Sequence, residues 1–144
     1  MTTFRAPLRV YDANKDIDSD AGWVTAMQTN TMVFGDTTKD LFNLPANSQI
    51  IDFYVDVTTA FNAATTNTLD LGVSGTPARF ADNLALGTAE RVLGSSDASQ
   101  LDEYASTGTT GITVQGVYAQ TGAAATAGAA RISVLYAVQR VLSL

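Results

Sequence analysis

Alternating apolar and polar residues between positions 50 and 59 restrict the fold of this chain more than any other feature. A repeat of two residues is typical of a β-strand that buries one face. The apolar members are Ile51, Phe53, Val55 and Val57, and Asp52, Tyr54, Asp56 and Thr58 lie between them. The segment is therefore predicted to be a strand with Ile51, Phe53 and Val55 facing a core.

Further strands are predicted on both sides of this segment. Leu69, Leu71 and Val73 repeat the alternation after the turn-like residues 62–67, so the two segments are expected to be antiparallel neighbours joined by a hairpin or a short crossover. A second pair is expected at 112–118 and 132–138, with the Ala/Gly/Thr run 121–128 as a mobile hairpin tip. Weaker strand signals lie at residues 8–11, 31–34 and 92–93.

One short helix is predicted at residues 76–86. Pro77 suits a first helical turn, and Phe80 and Leu84 are four residues apart. With seven or eight short strands besides, the fold class is all-β: an antiparallel β-sandwich, jelly-roll-like, with at most one short helix. An up-and-down barrel is the alternative.

The composition supports one all-β domain. Charged residues make up only 15% of the 144 residues, and much of the polarity comes instead from threonine, which suits half-exposed strands. One core is enough for a chain of this length. We expect residues 1–20 to form an extended N-terminal arm and residues 21–144 a single β-sandwich domain.

The net charge of −6 argues against nucleic acid or an anionic membrane as a partner. The first residues contain no apolar stretch of signal-peptide length, and no stretch approaches the length of a membrane span, so a soluble protein is expected.

Catalysis is not expected, because the chain has neither histidine nor cysteine. Their absence removes the common nucleophile pairs and imidazole acid–base groups. No carboxylate pair stands out, no phosphate-binding loop is present, and no cofactor is predicted.

The acidic stretch 12–20 is the only candidate metal site. Asp12, Asn14, Asp16 and Asp18 place oxygen ligands at alternate positions, as a calcium loop does. Ile17 stands where that loop needs glycine, and Trp23 where it needs a closing glutamate. A solvated acidic turn is therefore favoured over a metal site.

Several aromatic and basic residues are candidates for contacts. Trp23 is expected in a core or an interface, and Tyr54 is the best candidate for an exposed or interface aromatic residue. Arg131 and Arg140 are expected to be solvated, with pairing to a neighbouring subunit as the alternative.

Four segments together resemble small virion proteins of tailed bacteriophages, over residues 6–138. They are residues 6–10 (APLRV), 44–52 (LPANSQIID), 55–62 (VDVTTAFN) and 128–134 (GAARISV) followed by Tyr136. Sequences of this kind include capsid decoration (cement) proteins and other virion components.

The resemblance implies a β-sandwich on the outer surface of a phage capsid, in the virion. It implies a homotrimer that binds the major capsid protein and stabilises the shell by bridging its subunits. Two other roles remain open: a tail- or fibre-associated module that binds a receptor or glycan, and a cellular structural or adhesive subunit.

Overall fold

The computed structural model describes residues 23–96 and 98–139, and these form eight β-strands. The strands are β1 (Trp23–Val33), β2 (Thr38–Leu44), β3 (Ser48–Thr59), β4 (Thr66–Val73), β5 (Thr76–Ala85), β6 (Arg91–Leu93), β7 (Ile112–Thr121) and β8 (Ala129–Gln139). Two 3-10 segments, Gly94–Ser96 and Ala98–Ala105, lie between β6 and β7. The described ranges contain no α-helix, and neither 3-10 segment is long and apolar enough to cross a membrane.

The strands form two antiparallel four-stranded sheets. Sheet A has the order β1-β8-β3-β6, and sheet B has the order β2-β7-β4-β5. The pairs β1–β8, β2–β7, β3–β6 and β4–β5 are nested, as they are when a long antiparallel hairpin folds over into two sheets. The predicted antiparallel all-β sandwich is confirmed.

The core lies between the sheets. Phe53 of β3 is fully buried, and its ring lies 5.7 Å from that of Phe80 on β5 and 5.8 Å from that of Tyr104. The hydroxyl of Tyr104 donates to the carbonyl of Phe80 at 3.2 Å, so this large ring is buried with its polar atom paired. The second 3-10 segment thereby covers one end of the core.

The predicted strand pairings were wrong, although the strands themselves exist. β3 and β4 lie in opposite sheets, and so do β7 and β8, so neither pair is a hairpin. Residues 121–128 cross between the sheets and are held by Asn62, whose Oδ1 accepts from the amides of Thr126 (2.8 Å) and Ala127 (3.0 Å). The predicted hairpin tip is a hydrogen-bonded crossover.

The helix predicted at residues 76–86 was also wrong, because this segment is strand β5. Its register against β4 is irregular, and Asn83 has a left-handed φ of 58°. These irregularities break strict alternation, so the apolar spacing imitates a helical repeat.

A bulge explains why Ile51 is exposed rather than buried. The β3–β8 register shifts between Ile50 and Asp52, so Ile51 is the extra residue. Ile50 is the buried residue before the bulge. After the bulge, Phe53 and Val55 are buried, as predicted.

One side of the sandwich is closed by side chains of β1. The Nε2 of Gln28 donates to the carbonyl of Asn43 at 2.9 Å, and the Nδ2 of Asn30 donates to the carbonyl of Leu41 at 3.1 Å. Both acceptors belong to the edge strand β2. The bonds occupy carbonyls that an edge strand otherwise presents to other chains.

Residues 1–20 and the weak strand signal at 8–11 lie outside the described residues. The arm and its boundary with a single domain therefore stay predictions.

Candidate interaction face

The outer surface of sheet A carries a group of charged and aromatic side chains that contact one another. Alternation along each strand directs every second residue outward, and the register aligns these residues across strands. One row consists of Thr31, Arg131, Asp56 and Arg91, and the next of Thr29, Ser133, Tyr54 and Leu93. We call this surface, together with Met27, Leu135 and Asp52 in the following row, the arginine face.

Asp56 lies at the centre of the arginine face and binds two arginines. Arg91 donates from Nε to Oδ1 (2.5 Å) and from Nη2 to Oδ2 (3.0 Å), and Arg131 donates from Nη2 to Oδ2 (2.7 Å). The Asp56 side chain is 18% exposed, whereas those of Arg91 and Arg131 are 57% and 56% exposed. The arginines thus shield the carboxylate and remain accessible to solvent themselves.

These bonds change the protonation of the group. The hydrogen bond from Arg91, followed by that from Arg131, lowers the pKa of Asp56 from 3.8 to about 2. The carboxylate in turn raises the pKa of Arg91. Asp56 and Arg91 are therefore both charged at neutral pH.

Tyr54 orients Arg91 from the neighbouring row. The guanidinium carbon of Arg91 lies 5.4 Å from the centre of the Tyr54 ring, within the range of a cation–π contact. The Tyr54 side chain is half-buried between its neighbours on the sheet. Arg91 is consequently fixed by a ring on one side and a carboxylate on the other.

A shallow groove of about 460 Å³ opens beside this cluster. The hydroxyls of Thr29 and Ser133 are hydrogen-bonded to each other at 2.9 Å within it. Met27, which is 57% exposed, supplies its apolar part. The complete lining is Met27, Thr29, Tyr54, Asp56, Arg91, Arg131 and Ser133.

Exposed apolar side chains are concentrated on the same sheet. Every large exposed hydrophobic residue on a described strand belongs to sheet A, and none belongs to sheet B; those of sheet A are Trp23, Val24, Met27, Val33, Ile51 and Leu93. Of these residues, Met27 and Leu93 lie on the arginine face, and exposed apolar side chains that lie together commonly mark a contact surface.

The outer surface of sheet B is polar and acidic by comparison. Asp40, Asp70 and Asp82 lie on its strands. Burial, together with the nearby charge of Asp82, raises the pKa of Asp70. The two faces of the sandwich therefore differ in chemistry.

The structure corrects some residue predictions and leaves others outside its range. Arg131 binds Asp56 of its own chain and is not simply solvated. Trp23 is 53% exposed and so is not a core residue. The candidate metal ligands Asp12, Asn14, Asp16 and Asp18, and also Arg140, lie outside the described residues. Within the described ranges, no three acidic side chains group as a metal site would need.

The Asp56–Arg91 pair was missed by the sequence analysis. Alternation did place Asp56 on the exposed face of its strand. Its partner is 35 residues away on a three-residue strand, and only the β3–β6 register aligns them.

Comparisons with known proteins show that this chain shares its fold with chains of solved structures. No protein-family model matches the sequence, and no curated protein matches it. A chain in the structure of the cyanophage Pam1 capsid asymmetric unit superposes with a TM-score of 0.55 at 19% identity, covering 95% of this chain and 94% of that chain. The two chains share a fold.

A second solved structure gives the same result. A chain in the acidic stable capsid structure of Helicobacter pylori bacteriophage KHP30 has a TM-score of 0.59 at 16% identity, covering 84% of this chain and 95% of that chain. The likeness extends over nearly the whole of both phage chains, so it concerns the complete sandwich and not one sheet.

Proposed function

We propose that this protein is a structural component of a tailed-phage virion, which binds the outer surface of the capsid and stabilises the shell by bridging major capsid proteins. The observation that carries this proposal is the fold shared with chains of two phage capsid structures over most of their length. The sequence resemblance to small virion proteins over residues 6–138 supports the same role.

The proposed role is non-catalytic. A chain without histidine or cysteine lacks the usual nucleophile pairs and imidazole acid–base groups. The Asp56 carboxylate is held by two arginines. A carboxylate whose pKa is about 2 is a poor general acid or base near neutral pH. Its chemistry suits a fixed charge in a contact surface.

We further propose that the protein acts as a homotrimer, and that residues 1–20 form an arm that reaches a neighbouring subunit. A small contact repeated around a symmetry axis gains strength from multivalency. Deleting residues 1–20 should abolish capsid binding while leaving the thermal unfolding of the sandwich unchanged. Unchanged capsid binding would rule the arm out.

The experiment that tests the proposed function is a copy-number measurement. Virions of the parent phage are purified, and this protein is quantified by mass spectrometry against the major capsid protein of the same particles. A number comparable to that of the capsid protein supports decoration of the shell. A few to a few dozen copies would instead favour the tail- or fibre-associated binding module, and absence from the virion would reject both roles.

A further inference from the structure

The two arginines of the arginine face share one counter-ion. Four basic residues lie in the described ranges, and two of them each pair with one acidic residue: Lys39 with Asp36 at 3.6 Å, and Arg79 with Glu103 at 2.6 Å. Arg91 and Arg131 instead share Asp56. The second carboxylate of this face, Asp52, is hydrogen-bonded to the backbone amide and the hydroxyl of Ser95. Asp56 is therefore the shared ion-pair partner of both arginines.

The two guanidinium groups are accessible to a partner. The bonds to Asp56 use Nε and Nη2 of Arg91 and Nη2 of Arg131, and each guanidinium carries more N–H hydrogens than these bonds engage. Both side chains are more than half exposed beside the groove. A carboxylate from outside can therefore reach N–H donors that already point toward solvent.

The surroundings of the groove define the rest of the partner. The hydroxyls of Thr29 and Ser133 supply hydrogen-bonding groups next to the arginines. Met27 and Leu93 supply exposed apolar surface on either side. Arginine, methionine and aromatic residues are the types enriched in protein–protein contacts, so the arginine face has the composition of a contact with another protein.

We infer that the arginine face is the surface that binds the major capsid protein, and that it receives there a carboxylate side chain flanked by apolar residues. This inference rests on the proposed function and adds to it which face of the sandwich meets the shell. The acidic face formed by sheet B then points away from the capsid.

The test compares matched charge reversals. Arg131→Glu puts a glutamate beside Asp56 on the arginine face. Arg79→Glu puts one on β5 of sheet B, beside Glu103 of the second 3-10 segment, so the two variants carry the same change in charge and each places a glutamate beside a former ion-pair partner. Met27→Asp changes the apolar part of the groove at an exposed position. Thermal unfolding of each variant shows whether the sandwich is retained.

Binding is measured by co-sedimentation with shells of the parent phage that were assembled without this protein. We expect Arg131→Glu and Met27→Asp each to weaken binding about tenfold or more, and Arg79→Glu to bind as the unchanged protein does. Binding of the unchanged protein should also weaken as salt is raised, and more steeply than that of Arg131→Glu.

The possible failures are distinguishable. If the unchanged protein binds shells and folded Arg131→Glu and Met27→Asp bind equally well, the arginine face is not the contact and the proposed function stands. If the unchanged protein does not bind shells, the proposed function and the binding role of the arginine face are both rejected. If sedimentation shows that these two substitutions dissociate an oligomer of the protein alone, the face joins copies of this chain and the inference is overturned.

Discussion

Replacing Asp56 by asparagine tests the energetics of the arginine face directly. The substitution keeps the size of the side chain and removes its charge, so Arg91 and Arg131 lose their shared counter-ion. A fall in pKa from 3.8 to about 2 corresponds to at most about 2.5 kcal/mol of stability. Because both guanidinium groups are more than half exposed, water and salt screen the pairs, and we expect a loss of about 1 kcal/mol at pH 6.

The lowered pKa of Asp56 predicts how the loss of stability in Asp56→Asn changes with pH. The folded protein holds the pKa of Asp56 below its unfolded value, so the carboxylate stabilises the fold fully above pH 4, and this contribution disappears as the pH falls through about 2. The difference in unfolding free energy between the unchanged protein and Asp56→Asn should therefore shrink from about 1 kcal/mol at pH 6 toward zero at pH 2.

Urea unfolding followed by circular dichroism at several pH values measures this difference. Asp102→Asn is the matched control, because Asp102 is exposed in the second 3-10 segment, and its effect should be small at every pH. A loss at Asp56 that stays constant from pH 6 to pH 2 would mean that shape and not charge is responsible. No loss at pH 6 would mean that the two ion pairs add nothing to stability.

Three further substitutions test other parts of the structure. Asp70→Asn should stabilise the protein slightly at pH 7, because a raised carboxyl pKa means that the ionised form costs stability there. In urea unfolding the gain should vanish below pH 3, and a gain that persists would contradict this cause. Gly72→Ala should lower the free energy of unfolding by about 3 kcal/mol or more, because the added Cβ would overlap backbone carbonyls at the start of β5. The control Gly87→Ala, in open space, should cost well under 1 kcal/mol, and equal unfolding midpoints for the two variants would refute the overlap. Asn62→Ala should lower the free energy of unfolding by about 2 kcal/mol and speed hydrogen exchange at the Ala127 amide, which loses its acceptor. Unchanged exchange there would show that the crossover does not depend on this side chain.

The sequence was informative about strands and much less so about their partners. Alternation at 50–59, 69–73, 112–118 and 132–138 identified four strands, because burial of one face is a local property of a strand. Pairing is not local. A strand with one apolar face fits either sheet of a sandwich. The sequence analysis therefore paired β3 with β4 and β7 with β8, which are consecutive in sequence but lie in opposite sheets.

Irregular backbone accounts for most of the remaining errors. Ile51 has the composition of a buried residue, and a bulge that no residue type announces turns it outward. In β5, Asn83 in a left-handed conformation changes the spacing of the apolar residues. Both are single-residue insertions into an alternating pattern, and each reverses the faces assigned on one side of it.

The candidate site was predictable only in part. Tyr54 and Asp56 were correctly assigned to the face opposite Val55. The sequence did not reveal that Arg91 and Arg131 flank the same carboxylate, because their alignment depends on the order β8-β3-β6 within sheet A. A site built across three strands requires the sheet order before its members can be named.

The position of β8 has a consequence for how the chain acquires its fold. β8 is the last described strand in sequence, yet it lies between β1 and β3 and pairs with both along ten or more residues. During synthesis, β1 and β3 therefore remain without this partner until β8, which follows both in sequence, has left the ribosome. Folding dominated by such distant contacts is slow, and it exposes unpaired strands meanwhile. We expect nascent chains that end before residue 129 to remain protease-sensitive, and protection to appear in one step once β8 has emerged.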